Sequence, residues 1–272
     1  MSQSAPQSIP FQYGWWSFDL GEYRPCDGTY CYYEYSSLPP IAEAQFNGSL
    51  QWLEQAKQAD EEDAEEPEQP APQFDQMSVG TLQRLQEDQS YEDAFAEEQD
   101  RLSARLSALT ASAQELSLTL PKAFLRLMAS SVLQDRIPSC TACYFDLSKK
   151  IVPCPGSEEG YIIRFLNDQQ DVLSWYLYLT TQGEHCVLVS PFALDKAAEE
   201  EAEELEEGEE EEDREQTEKR RRSIIANTLV CAPSFEAFIY RFWIENVLWF
   251  TLNEAEGSLS EAQQQYLAHY KA

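Results

Sequence analysis

The sequence predicts an α+β fold: an antiparallel sheet of four to six strands packed against amphipathic helices, with two acidic disordered insertions. Three observations predict it. Between Gly160 and Pro191, three apolar runs of strand length (Tyr161–Leu166, Leu173–Leu179 and His185–Val189) are separated by two short polar connectors. They are rich in Ile, Val, Tyr, Phe and Trp, which suit a pleated surface, so they read as an antiparallel meander. From Phe235 onward, apolar residues fall at 235, 238, 239, 242 and 243, the spacing of one helical face. Finally, residues 199–213 hold twelve acids and no base, and residues 54–68 hold eight acids and one base. Such runs bury too little apolar surface to fold, and both are expected to be disordered.

The bulk numbers bound the function. A chain of 272 residues suits one compact domain with extensions. The two acidic runs carry −12 and −7 of the formal net charge of −30, so the remainder is acidic as well. That argues against a nucleic-acid interface, which needs a gathered basic face, and favours a basic protein partner. No stretch reaches the roughly 18 apolar residues of a membrane span. The first ten residues lack the basic and apolar regions of a signal peptide, so a cytoplasmic protein with reduced thiols is expected.

In chain order, residues 1–57 form an aromatic-rich extension, with ten aromatics in the twenty-five residues from Phe11 to Tyr35. Its rings either offer a docking surface or pack on the main core, the commoner use of aromatics. A short helix is expected around Phe46–Ala56. Residues 58–77 are an acidic linker containing prolines. Residues 78–118 are helical, with Ser78 as N-cap and one apolar stripe at Leu82, Leu85, Tyr91, Phe95, Leu102, Leu106 and Leu109. This stripe can dock on its own domain or meet a partner helix as a coiled coil. Residues 119–252 form the main domain, with the second acidic insertion at 195–222.

Within that domain, Pro121 opens a helix whose buried face is Phe124, Leu125, Met128, Val132 and Leu133, and Pro138 ends it. Ala142–Leu147 and Ile151-Val152 read as short strands before the meander. The basic cluster Lys219–Arg222 offsets the acids before it or serves as an address. Ile224–Cys231 is a candidate last strand. Ser234 caps the helix SFEAFIYRFWIENVLWFTL, with Glu236, Arg241 and Glu245 off its apolar face. Residues 253–272 end in a short helix capped near Ser258 or Ser260.

Catalytic motifs are sparse. Cys140 and Cys143 make one C-x-x-C pair, with Cys154 downstream, but a strong zinc signal has two such pairs. A redox C-x-x-C belongs at a helix N-terminus, and this one precedes a strand. The chain has two histidines, His185 at a strand start and His269 near the end, and no nucleophile elbow, phosphate loop or H-E-x-x-H. No catalytic residue, cofactor or metal site is assigned. The candidate partner-binding residues are Tyr176 and Tyr178, on the face of the middle strand opposite Trp175, Leu177 and Leu179, with Asp168 and Asp171 at its rim. For the two aspartates, hydrogen bonding within the turn is the simpler account.

Three features together resemble the SUKH superfamily, which includes bacterial immunity proteins and fungal cell-wall-assembly regulators. They are Leu120-Pro121 opening a helix, the meander YIIRFLNDQQDVLSWYLYL, and the terminal helix FEAFIYRFWIENVLWF. The likeness spans about residues 120–252. It implies an α+β domain without catalytic residues that works through protein contacts, in many members as an antidote to a nuclease toxin with a basic face. An acidic surface suits that role independently, since it speeds encounter with a basic partner. Two further readings stand beside it. One is a regulatory or scaffold protein acting through its acidic arms and the 78–118 helix. The other is a metal-dependent or thiol enzyme in which Cys140, Cys143 and Cys154 converge.

Overall fold

The computed structural model describes residues 9–43, 46–62, 89–207, 211–254 and 258–271. In chain order the strands are β1 (Gln12–Ser17), β2 (Cys31–Glu34), β3 (Tyr144–Phe145), β4 (Val152–Pro153), β5 (Gly160–Asn167), β6 (Ser174–Thr180), β7 (His185–Ser190) and β8 (Leu229–Ala232). The helices are α1 (Gln51–Glu62), α2 (Gln89–Glu115), α3 (Lys122–Met128), α4 (Ser131–Gln134), α5 (Leu194–Glu207), α6 (Glu211–Asn227), α7 (Phe235–Glu254) and α8 (Glu261–Ala268).

The meander forms as its sequence pattern requires. β5, β6 and β7 pair antiparallel in order, with Trp175 opposite both Leu166 and Val189, and Leu179 opposite both Tyr161 and His185. Gly183 turns the second connector at φ +82°, a conformation that costs a residue without Cβ little. The sheet is larger than four to six strands. Among the described residues it has eight, ordered β2-β1-β8-β7-β6-β5-β3, and β4 also pairs with β5. The additional strands come from the aromatic N-terminal extension. β1 lies parallel to β8, making the sheet mixed, and β2 folds back antiparallel on β1 as the edge. The extension is therefore part of the main sheet, because its alternating aromatics find an unpaired strand edge and an apolar face together.

On one face lies the main core. α7 places Phe235, Phe238 and Phe242 against Phe165 and Trp175, with ring centroids 5.0–6.4 Å apart. Burying Phe235, Phe238, Ile239 and Phe242 stabilises by about 6–12 kcal/mol gross. α3 adds Phe124 and Leu127, and α1 adds Leu53. The C-terminal half of α2 docks here through Leu106, Leu109 and Ala113, so this end of the stripe serves its own domain. The first acidic run, expected to be disordered, is helical as far as Glu62, where α1 continues into it. Residues 63–77 of the linker, Ser78, Leu82, Leu85 and the side chains of Tyr91 and Phe95 lie outside what the structure describes.

Two helical expectations are corrected. The helix opened by Pro121 is two short pieces, α3 and α4, because Ser130 leaves helical geometry and caps Leu133 N–H. The break resets the period, so Val132 points to solvent while Leu127 joins the core. α7 is enclosed on both sides, so Glu236, Arg241 and Glu245 are buried as well. Its far side packs Ile244 and Leu248 against Phe18, Leu20, Tyr266 and Leu267. The C-terminal helix α8 begins at a Ser260–Gln263 capping box, in agreement with its sequence.

Candidate functional site

The second face of the sheet is where the sequence places a partner-binding surface, and the structure fills it from within the chain. Tyr176 and Tyr178 are 0% and 1% exposed. They do lie opposite Trp175, Leu177 and Leu179, as the alternation requires, but in a second core with Ile162, Leu188 and Val230. The cover is the acidic insertion. α5 contributes Leu194, Ala197 and Ala198, and α6 contributes Ile224. Residues expected to be disordered are thus helical at 194–207 and 211–227. A few small apolar side chains on one side of an acidic helix are enough when a preformed apolar sheet face receives them. Ile224 consequently belongs to α6, and the last strand begins only at Leu229.

Tyr176 anchors this cover. Its hydroxyl accepts the Leu194 N–H at 3.0 Å, where α5 begins, and donates to the Phe192 carbonyl at 3.2 Å. The Tyr178 hydroxyl meets Ser157 Oγ at 2.8 Å, and burial pushes its pKa up to about 12. Gly160 lets this ring lie down, since a Cβ there would stand 2.0 Å from it. Neither tyrosine is available to a partner while α5 is in place. The outward side of the cover is charged: Glu199 and Glu200 are exposed, and Glu200 pairs with Arg220 of the basic cluster. Lys219–Arg222 therefore lies on α6 beside the acids, and Arg220 and Arg222 each form ion pairs with glutamates.

The two aspartates separate. Asp168 is buried, accepts the Gln170 N–H at 2.6 Å within the turn, and receives the Tyr30 hydroxyl from the N-terminal extension. Its role is to shape the turn and hold the extension. Asp171 is exposed at φ 57° on the same turn.

The cysteines do not converge. Cys140, Cys143 and Cys154 pack in three different clusters, and burial pushes all three thiol pKa values up, away from the thiolate that nucleophilic or metal-binding chemistry needs. The expectation of reduced thiols is corrected for one pair. Cys26 and Cys31 form a disulfide, because the turn leading into β2 brings their Cα atoms to 5.8 Å.

A buried charge network escaped the sequence reading. Glu245 of α7 accepts hydrogen bonds from Trp15 Nε1 (2.9 Å), Ser17 Oγ (2.5 Å), Arg24 (2.6 and 2.9 Å) and Tyr266 (2.6 Å). Burial alone would raise its pKa, but the Arg24 guanidinium and these donors hold it down to about 2. Arg241 donates to Tyr266 at 2.9 Å and to the Pro39 carbonyl at 3.0 Å. The network ties β1, the following turn and α8 onto α7, and its place is structural. An Arg and a Glu four apart inside an otherwise apolar helix was the available signal.

Comparison with protein-family models, with curated proteins and with solved structures finds no match.

Proposed function

We propose that the chain is a non-enzymatic protein-binding domain of SUKH type that neutralises or sequesters a basic partner protein such as a nuclease toxin. The observation that carries this reading is the acidic helical cover. Residues 199–213 bear twelve acids, and α5, which carries the first of them with Glu199 and Glu200 exposed, is held at a defined place on the sheet by Tyr176. A fixed acidic surface favours complementary docking and fast encounter with a basic face. The sparse catalytic motifs and the raised thiols are consistent with a role through contacts. Docking of the C-terminal half of the 78–118 helix on its own domain through Leu106, Leu109 and Ala113 weighs against the scaffold reading.

The test is affinity capture with the full chain beside a variant in which every acid of residues 199–213 is replaced by its amide. Retained proteins are then purified and titrated back. One basic partner, bound at equal stoichiometry, weakened at least tenfold in the amide variant and strongly by salt, is the expected result. Many partners lost together would favour the scaffold reading. A partner held equally by both versions would remove the acidic cover from the interface.

A further inference from the structure

At the opposite end of the meander from Asp168, beside the turn at Gly183, a cleft of about 710 Å³ opens between Glu43, Phe46, Asn47 and Gly48, the start of α3 and the start of α7. His185, the first residue of β7, lines it from the face that α7 covers. The side chain is 7% exposed, yet its ring makes no hydrogen bond among the described residues. Its ring nitrogens are not sealed from the cleft, so they are open to a ligand or to water. Burial lowers its pKa to about 4, so near neutral pH it is uncharged and offers one donor and one acceptor nitrogen.

The charges around it select the ligand. Glu43, Glu236 and Lys122 line the cleft, giving it a net negative charge. Glu236 accepts the Gly48 N–H at 2.7 Å and Trp52 Nε1 at 3.1 Å, and each carboxylate oxygen keeps a second lone pair. This carboxylate also occupies the first turn of α7, where an anionic ligand would otherwise be favoured. Phe46, Leu120 and Pro121 supply an apolar wall against which an aliphatic stem can lie. We infer that this cleft is an anchor pocket for an arginine or lysine side chain of the basic partner, held between Glu43, Glu236 and the acceptor nitrogen of His185. The inference rests on the proposed function and adds to it a second contact point, apart from the acidic cover.

The chain contains two histidines, so ring resonances of protein labelled with ¹³C-histidine report on the cleft directly. His269, whose ring meets the Ser37 carbonyl at 3.1 Å, serves as internal control. The probes are N-acetyl-arginine amide, N-acetyl-glutamine amide and N-acetyl-glutamate amide, each titrated into the full-length protein. The expected result is a saturable shift of His185 with the arginine probe alone, an unmoved His269, and about fivefold weaker binding in Glu43→Gln. No shift, equal shifts with all three probes, preference for glutamate, or an effect indifferent to Glu43→Gln would each overturn the assignment. Failure here with the amide variant still losing its partner refutes the anchor pocket alone. Failure of the capture experiment with a saturable arginine shift refutes the acidic-cover reading alone.

Discussion

Replacing Glu245 by alanine removes the acceptor on which Trp15, Ser17, Arg24 and Tyr266 converge. Arg24 is 4% exposed and would be left as a buried charge without its carboxylate. Breaking a buried pair in this way costs about 3–5 kcal/mol. The pKa of Glu245 agrees in size: lowered from 4.5 to about 2, it corresponds to on the order of 3 kcal/mol of native-state preference for the ionised form. Because the folded value lies below the unfolded one, that contribution is complete above about pH 4.5 and is lost as pH falls toward 2. The assay is urea unfolding followed by tryptophan fluorescence, near neutral pH and at several acid values. Glu245→Ala should lower the unfolding free energy by that amount, seen as a lower midpoint at unchanged slope, and Glu245→Gln should flatten the acid limb. In the double variant Arg24→Met/Glu245→Leu, part of the loss should be recovered, since no charge is then stranded. A Glu245→Ala cost under about 1 kcal/mol, or a double variant no more stable than the single one, would refute the reasoning.

Other outcomes follow from the same geometry. Gly160→Ala places a Cβ 2.0 Å from the Tyr178 ring and should destabilise by about 1–3 kcal/mol, read as a lower urea midpoint. Leu194→Ala should cost about 2–5 kcal/mol and speed amide exchange along α5 more than along β6. Leu109→Ala should cost a similar amount and loosen the C-terminal half of α2, visible as earlier proteolysis there. The low pKa of His185 means that the unfolded chain binds a proton more readily. Stability should begin to fall below about pH 6.5 and continue falling toward pH 4, and His185→Gln should remove that part of the profile.

The meander, the helix from Phe235 and the helix after Ser260 were legible because each has a local signature: strand-length apolar runs, helical spacing, and a capping box. The division of β6 into Trp175, Leu177 and Leu179 on one face and Tyr176 and Tyr178 on the other was equally legible, since strand alternation is a property of the backbone. What covers each face is not local. The tyrosine face is closed by α5, whose composition taken alone argues for disorder, because burial of Leu194, Ala197 and Ala198 becomes favourable only once the sheet supplies the opposing surface. The Arg24–Glu245 pair joins residues 221 positions apart, and no spacing rule reaches across that distance. The same holds for the cleft, whose lining residues His185, Glu43 and Glu236 come from separate elements. By itself, then, the sequence determined the meander, the helix from Phe235, the last helix and the acidity of the chain, but neither the strands of the N-terminal extension nor the helices of the acidic insertion. The tertiary structure alone decided which of those segments pack together, because a buried polar or apolar group takes its partner from whatever the fold brings beside it.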